Sequence, residues 1–179
     1  RIEDHKLDSI QFLYWRNSNL EFGSPEGLIS SLESKPSEKN LVRISDSIDE
    51  NVLKLLTREK KIKFSPDNLK LLWECCQIPD FQKKAYGQHI DVVTKVFNFL
   101  TTEKNRIPNE YMKNQLKGLD KCQGNIDMIS NRISNVRTWS YVANKKNWAS
   151  NNDYWIERTK YIEDKLSDKL HEKLTKSFV

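Results

Sequence analysis

Apolar side chains recur along most of this chain at the three- and four-residue intervals of a helix that buries one face. The clearest runs are Leu69, Leu72, Trp73 and Cys76; Ile90, Val93, Phe97 and Leu100; Ile126, Ile129, Ile133 and Val136; and Ile162, Leu166, Leu170, Leu174 and Phe178. No stretch of any length alternates with the two-residue period of a half-buried strand. The pattern therefore predicts an all-α fold, an irregular bundle of about seven or eight helices.

Prolines mark where several of these helices should begin. Four of the five prolines stand at expected helix starts, where the missing N–H has no intrahelical partner in any case. The predicted helices cover residues 5–16, 25–34, 47–60, 66–78, 81–103, 108–121, 125–147 and 152–179. Residues 34–47 contain Pro36 and four serines and are predicted to form a mobile loop. The residues before this loop are too few to hold a core, so we expect a single helical domain over residues 1–179.

The helical stripes also predict which side chains fill the core. We expect six large apolar residues to be buried, because each lies on one of these stripes. They are Leu72, Trp73, Ile133, Trp139, Leu166 and Leu170.

Composition places the chain among globular proteins. Apolar residues make up 37% and charged residues 31%, which is too apolar for disorder and too polar for a membrane protein. No apolar run approaches the ~20 residues of a bilayer span, and the first residues form no apolar leader. Cys75, Cys76 and Cys122 fit neither a metal site nor a disulfide framework, which suits a reducing compartment. We therefore expect a cytoplasmic protein without membrane contact and, since it begins at Arg1 rather than Met, a piece of a longer chain.

The net charge of +5 is concentrated in one stretch. Residues 101–150 carry nine basic and four acidic side chains, whereas residues 1–100 and 151–179 are balanced. A local basic excess is typical of a surface that binds phosphates. Trp148, among asparagines in a predicted turn, either stacks on bases or belongs to the core. The predicted nucleic-acid site consists of Lys113, Lys117, Arg132, Arg137, Lys145, Lys146 and Trp148.

Two further features of the sequence bear on this basic stretch. The chain has 22 Lys against 8 Arg, a bias that an A/T-rich genome also produces. Arg132 and Arg137 are five residues apart, about 140° around a helix, so they cannot both point the same way. We expect one of them to pair with Asp127 or another carboxylate.

The search for catalytic chemistry is negative. The sequence contains no phosphate-cradling G-x-x-x-x-G-K-[ST] loop and no G-x-G-x-x-G. His5, His89 and His171 are isolated, with no second His or Cys at metal-ligand spacing. We therefore predict no catalytic residue, no metal site and no cofactor site in this segment.

Several segments resemble a known family. They are residues 13–17 (LYWRN), 72–81 (LWECCQIPDF), 124–127 (GNID), 136–144 (VRTWSYVAN) and 162–172 (IEDKLSDKLHE). Together they resemble the C-terminal region of alphaproteobacterial superfamily-two helicases, which are similar to the mitochondrial degradosome RNA helicase. The most specific part runs from residue 167 to residue 179.

The resemblance implies a helical accessory domain that follows two RecA-like motor domains and helps to enclose RNA or DNA. In that family ATP and Mg²⁺ bind in the motor domains, so the resemblance transfers no catalytic residue to this chain. Its expected partners are the motor domains and a weakly bound nucleic acid. The alternative function is a protein-interaction module that recruits a partner such as an exoribonuclease.

Overall fold

A computed structural model describes residues 12–45, 47–59, 64–81, 86–102 and 104–178. The chain divides into two compact units, Arg1–Gln77 (unit 1) and Ile78–Val179 (unit 2). From the sequence we expected a single domain over residues 1–179, without a division of this kind. Most of the described residues are helical, which confirms the predicted all-α class.

The described part of unit 1 combines three α-helices with a small sheet. Its elements are β1 (Leu13–Trp15), α1 (Pro25–Leu32), β2 (Leu41–Arg43), α2 (Ile48–Arg58) and, after a 3₁₀ turn at Pro66–Asn68, α3 (Leu69–Cys76). The strands pair in parallel, with Leu13 opposite Leu41 and Trp15 opposite Arg43. Helix α1 begins where the sequence indicated, because Pro25 occupies its first turn and the Ser24 hydroxyl accepts the amide of Gly27.

The sheet corrects two predictions. The helix predicted over residues 5–16 is wrong for residues 12–16, which form β1 and its flanks; residues 5–11 lie outside the described part. The loop predicted over residues 34–47 contains β2, and Asp46 is not described. Each strand is only three residues long, too short to show a two-residue period, and its pairing joins residues far apart in sequence.

An ion-pair network joins the two strands to α2. Arg16 makes a bidentate contact with Asp49 at 2.7 and 2.8 Å and also reaches Glu50 at 3.3 Å. Glu50 is only 2% exposed and lies 3.7 Å from the guanidinium of Arg43. The guanidinium of Arg16 also lies 5.6 Å from the ring of Trp73. Since buried charges are costly without partners, this network accounts for a carboxylate in the core of unit 1.

Four helices make up most of unit 2 within the described ranges. They are α4 (Tyr86–Thr101), α5 (Asn109–Leu116), α6 (Ile126–Asn144) and α7 (Asn152–Ser177). The predicted α5 continued to residue 121, but it ends at Leu116, and Gly118 has the left-handed φ of 79° that commonly terminates a helix. The predicted start of α4 at residue 81 is also wrong, because Phe81 lies in a turn; residues 82–85 are not described.

Backbone hydrogen bonds fix α5 beside the turn between α6 and α7. The amide of Ile107 donates to the carbonyl of Trp148 at 2.7 Å, and the amide of Ser150 donates to the carbonyl of Ile107 at 3.1 Å. Helices α6 and α7 follow each other through this short turn and pack along one another. The start of α5 and the start of α7 are therefore held together at one end of the α6–α7 pair.

Five of the six predicted core residues are buried, namely Leu72, Trp73, Ile133, Trp139 and Leu166. The sixth, Leu170, is only half-buried, so its assignment to the core is wrong. Further along the same stripe Leu174 is 37% exposed and Phe178 is 85% exposed. A four-residue step turns about 40° beyond a full helical turn, so the stripe winds away from α6 as α7 proceeds.

Candidate nucleic-acid interface

A cleft of about 730 Å³ lies between α5 and the first half of α7. Lys113 and Lys117 line it from α5 and its end, and Tyr154 and Arg158 line it from α7. We call it the α5–α7 cleft. Both lysines are exposed, and their four-residue spacing places them on one side of α5. The cleft thus brings together two of the seven predicted site residues.

A hydrogen bond and two apolar side chains hold the walls of the cleft. The indole Nε1 of Trp155 donates to Oδ1 of Asn109 at 2.9 Å, which ties the first turn of α7 to the first residue of α5. Trp155 and Leu116 are 5% and 6% exposed, respectively, and both line the cleft. Because Trp155 and Leu116 are buried, they hold in place the backbone of α7 and α5 that carries the cationic side chains of the cleft.

The charges in the cleft are mixed, with a small positive excess. Lys113, Lys117 and Arg158 line it together with the carboxylates of Glu110 and Asp120. Nη2 of Arg158 lies 3.5 Å from Oδ2 of Asp120, and both side chains are more than a third exposed. Ion pairs with such exposure contribute ~1 kcal/mol or less, so Arg158 is able to exchange this partner for a phosphate.

The other predicted arginines have partners within the fold. Arg132 donates through Nη1 to the carbonyls of Lys121 and Gln123, at 2.7 and 2.5 Å, and so braces the connection between α5 and α6. Nε of Arg137 donates to Oε1 of Glu163 at 2.9 Å and links α6 to α7. As their spacing indicated, the two arginines point in different directions. Neither lines the α5–α7 cleft.

The remaining predicted residues lie in or next to the turn between α6 and α7. Lys146 is exposed, whereas Lys145 is half-buried with its Nζ 5.1 Å from the ring of Tyr141 and 5.8 Å from that of Trp148. Trp148 is only 4% exposed, so its ring has no free face for a base. This corrects its assignment to the interface. Thirteen residues separate Arg132 from Lys145, about 20 Å along α6, so the predicted set does not form one surface.

Three residues on α7 were absent from the predicted site. Tyr154 and Tyr161 are 56% and 55% exposed, and Arg158 lies between them with its guanidinium 5.5 Å from the ring of Tyr161. Residues 151–179 carry equal numbers of basic and acidic side chains, so the charge count pointed away from this helix. The useful signal was their spacing of four and then three residues, which places all three on one side of a helix.

Two of the three cysteines lie in the core of the described part of the chain. Cys75 and Cys76 are buried, and burial raises the pKa of the Cys76 thiol well above its usual value, which keeps it protonated. Among the described residues no three His, Cys, Asp or Glu side chains are grouped to hold a metal ion; His5 lies outside them. No helix in the described ranges has the length and apolar character needed to cross a membrane.

Comparison with known proteins adds no relative. No family model matches the chain, and neither a curated protein nor a solved structure matches it.

Proposed function

We propose that this chain is a helical accessory region of an ATP-dependent RNA or DNA helicase and that unit 2 contacts the nucleic acid through the α5–α7 cleft. The observation that supports this proposal is the convergence of Lys113, Lys117 and Arg158, from two helices, on one concave surface. Cations in a cleft raise the local concentration of an anionic chain and neutralise its phosphates. The helicase context comes from the sequence resemblance.

In this proposal the chain supplies contacts with the strand, whereas ATP and Mg²⁺ bind to the motor domains. Three phosphate contacts on a single strand correspond to a slope of about −2 in a plot of log affinity against log salt concentration. Between 50 and 200 mM salt the affinity should then fall about 20-fold. Such modest binding suits a region that must let a strand move past it.

The test is fluorescence anisotropy of the full chain with labelled 12-nucleotide single strands of RNA and DNA over this salt range. In the variant that carries both Lys113→Ala and Lys117→Ala, the magnitude of the salt slope should be about 1.4 smaller than in the parent. The matched control carries Lys169→Ala and Lys176→Ala, two lysines that pair with Glu172 in the second half of α7. Absence of salt-dependent binding by the parent chain, or equal losses in both variants, would contradict the proposal.

A second candidate function, a protein-interaction module that recruits a partner such as an exoribonuclease, is supported by a different feature. Leu174 and Phe178 leave apolar surface exposed at the end of α7, and Met128 in the first turn of α6 is 48% exposed. Exposed apolar patches often mark sites of protein interaction. If this function holds, Leu174→Asp combined with Phe178→Asp should abolish partner binding in the assembled complex, whereas the lysine variants should leave it unchanged.

A further inference from the structure

We infer that Tyr154, which lines the α5–α7 cleft, and Tyr161, three residues beyond Arg158 on the same side of α7, stack on unpaired bases, so that this surface selects single strands over duplexes. This inference rests on the proposed function, because it extends the binding surface from the cleft along α7 to Tyr161 and names the form of nucleic acid that this surface accepts. The residues that carry it come from α7 and were not part of the site predicted from sequence.

The first observation is the alignment of rings and cation on one side of α7. Tyr154, Arg158 and Tyr161 follow each other at intervals of four and three residues, so they lie within about 60° of one another around the helix. More than half of each tyrosine side chain is exposed. Exposed rings alternating with cations are the combination that binds single strands, since the rings contact bases and the cations contact phosphates.

The second observation is that each ring is held in place. Tyr154 packs against buried Trp155 with their ring centroids 4.8 Å apart and their planes at 82°, and Trp155 is itself hydrogen-bonded to Asn109. Tyr161 is covered on one side by the guanidinium of Arg158, 5.5 Å from its ring. Both rings are therefore oriented before a ligand binds, which reduces the entropy lost when a base stacks on them.

The third observation is the spacing of the two tyrosines along the helix axis. Seven residues of helix separate the two tyrosines by about 10.5 Å along the axis of α7. This distance is close to three steps of ~3.4 Å, the rise per nucleotide of a stacked strand. A duplex keeps its bases paired and stacked, so it has no free base to offer to either ring. Lys113 and Lys117 contact the phosphates of single strands and duplexes alike, whereas the tyrosines distinguish single strands from duplexes.

The experiment compares the full chain with variants on two labelled probe types, dT12 and U12 as single strands and a 12-base-pair DNA duplex. The variant that carries Tyr154→Leu and Tyr161→Leu should bind the single strands at least about 30-fold more weakly, with its salt slope and its duplex affinity unchanged. The corresponding Tyr154→Phe and Tyr161→Phe variant keeps both rings and should retain the parental affinity. Thermal unfolding followed by circular dichroism should be the same for all three proteins.

Several results would overturn the inference. If the leucine variant binds single strands within twofold of the parent, or loses single strands and duplex equally, the rings do not select unpaired bases. If the parent shows no salt-dependent binding at all, the proposed function fails and this inference with it. A third outcome would overturn only the stacking role. In it, the Lys113→Ala and Lys117→Ala variant has a smaller salt slope, but the leucine substitutions have no effect.

Discussion

The winding of the apolar stripe on α7 leads to a quantitative prediction about stability. Leu166 and Leu174 occupy the same helix and are spaced on the same four-residue repeat, but Leu166 is 0% exposed and Leu174 is 37% exposed. Truncating a fully buried leucine to alanine removes its packing contacts and leaves a cavity, which costs ~2 to 5 kcal/mol. Leu174→Ala leaves no enclosed cavity, so we expect a cost below ~1 kcal/mol.

Urea unfolding of the full chain, followed by circular dichroism at 222 nm and by tryptophan fluorescence, measures both costs. With a denaturant slope of ~2 kcal/mol per molar urea, Leu166→Ala should move the unfolding midpoint down by about 1 to 2.5 M. Leu174→Ala should move it by less than about 0.5 M. If the two units unfold in separate transitions, the comparison applies to the transition that Leu166→Ala shifts.

The two leucines have equal volume and lie on the same helix, so each variant is the control for the other. Similar shifts for both variants would refute the reasoning, because they would mean that Leu174 is packed as tightly as Leu166. A larger shift for Leu174→Ala would show that the stripe continues along the core rather than winding away from it.

Two further predictions concern the polar contacts of each unit. Burial acts to raise the pKa of Asp49, but hydrogen bonds, above all the one from Arg16, outweigh burial and hold this pKa below its usual range. The ionised carboxylate of Asp49 therefore stabilises the fold above about pH 4, and this stabilisation is lost as the pH falls through the folded-state pKa. Between pH 7 and pH 3 the urea concentration at the unfolding midpoint should therefore fall further for the parent than for the Asp49→Asn variant. Equal falls in the two proteins would contradict this. Trp155→Phe keeps an aromatic ring, smaller than the indole, but removes the donor to Asn109. A double-mutant cycle with Asn109→Ala separates the hydrogen bond from the change in ring size and should give a coupling of ~1 kcal/mol in urea unfolding. A coupling near zero would mean that this hydrogen bond does not hold the wall of the cleft.

Local signals in the sequence predicted the helices well. Ser24 and Pro25 mark the start of α1 through a cap and a proline, and the apolar stripes on α3 and α6 place Trp73 and Trp139 in the core. These features depend on residues within one or two helical turns of each other. Their physical cause is therefore contained in a short stretch of sequence.

Features that depend on distant residues were not predictable in the same way. The pairing of Leu13 with Leu41 has no local signature, and neither does the burial of Trp148 or the contact between Arg137 and Glu163. The winding of the α7 stripe is a different case. A strict four-residue repeat already contains the 40° drift that removes Leu174 from the core, so the sequence held that information.

Helix α7 also has a mechanical consequence, because it runs without interruption over 26 residues from Asn152 to Ser177. Its length is about 39 Å, and Tyr154 and Phe178 are 24 residues apart, about 36 Å along the helix axis. A rotation of this rod by 10° about its first turn would displace its far end by about 6 Å. A ligand that tilts the first turn of α7 at the α5–α7 cleft would therefore move the exposed side chains of Leu174 and Phe178 by several ångströms.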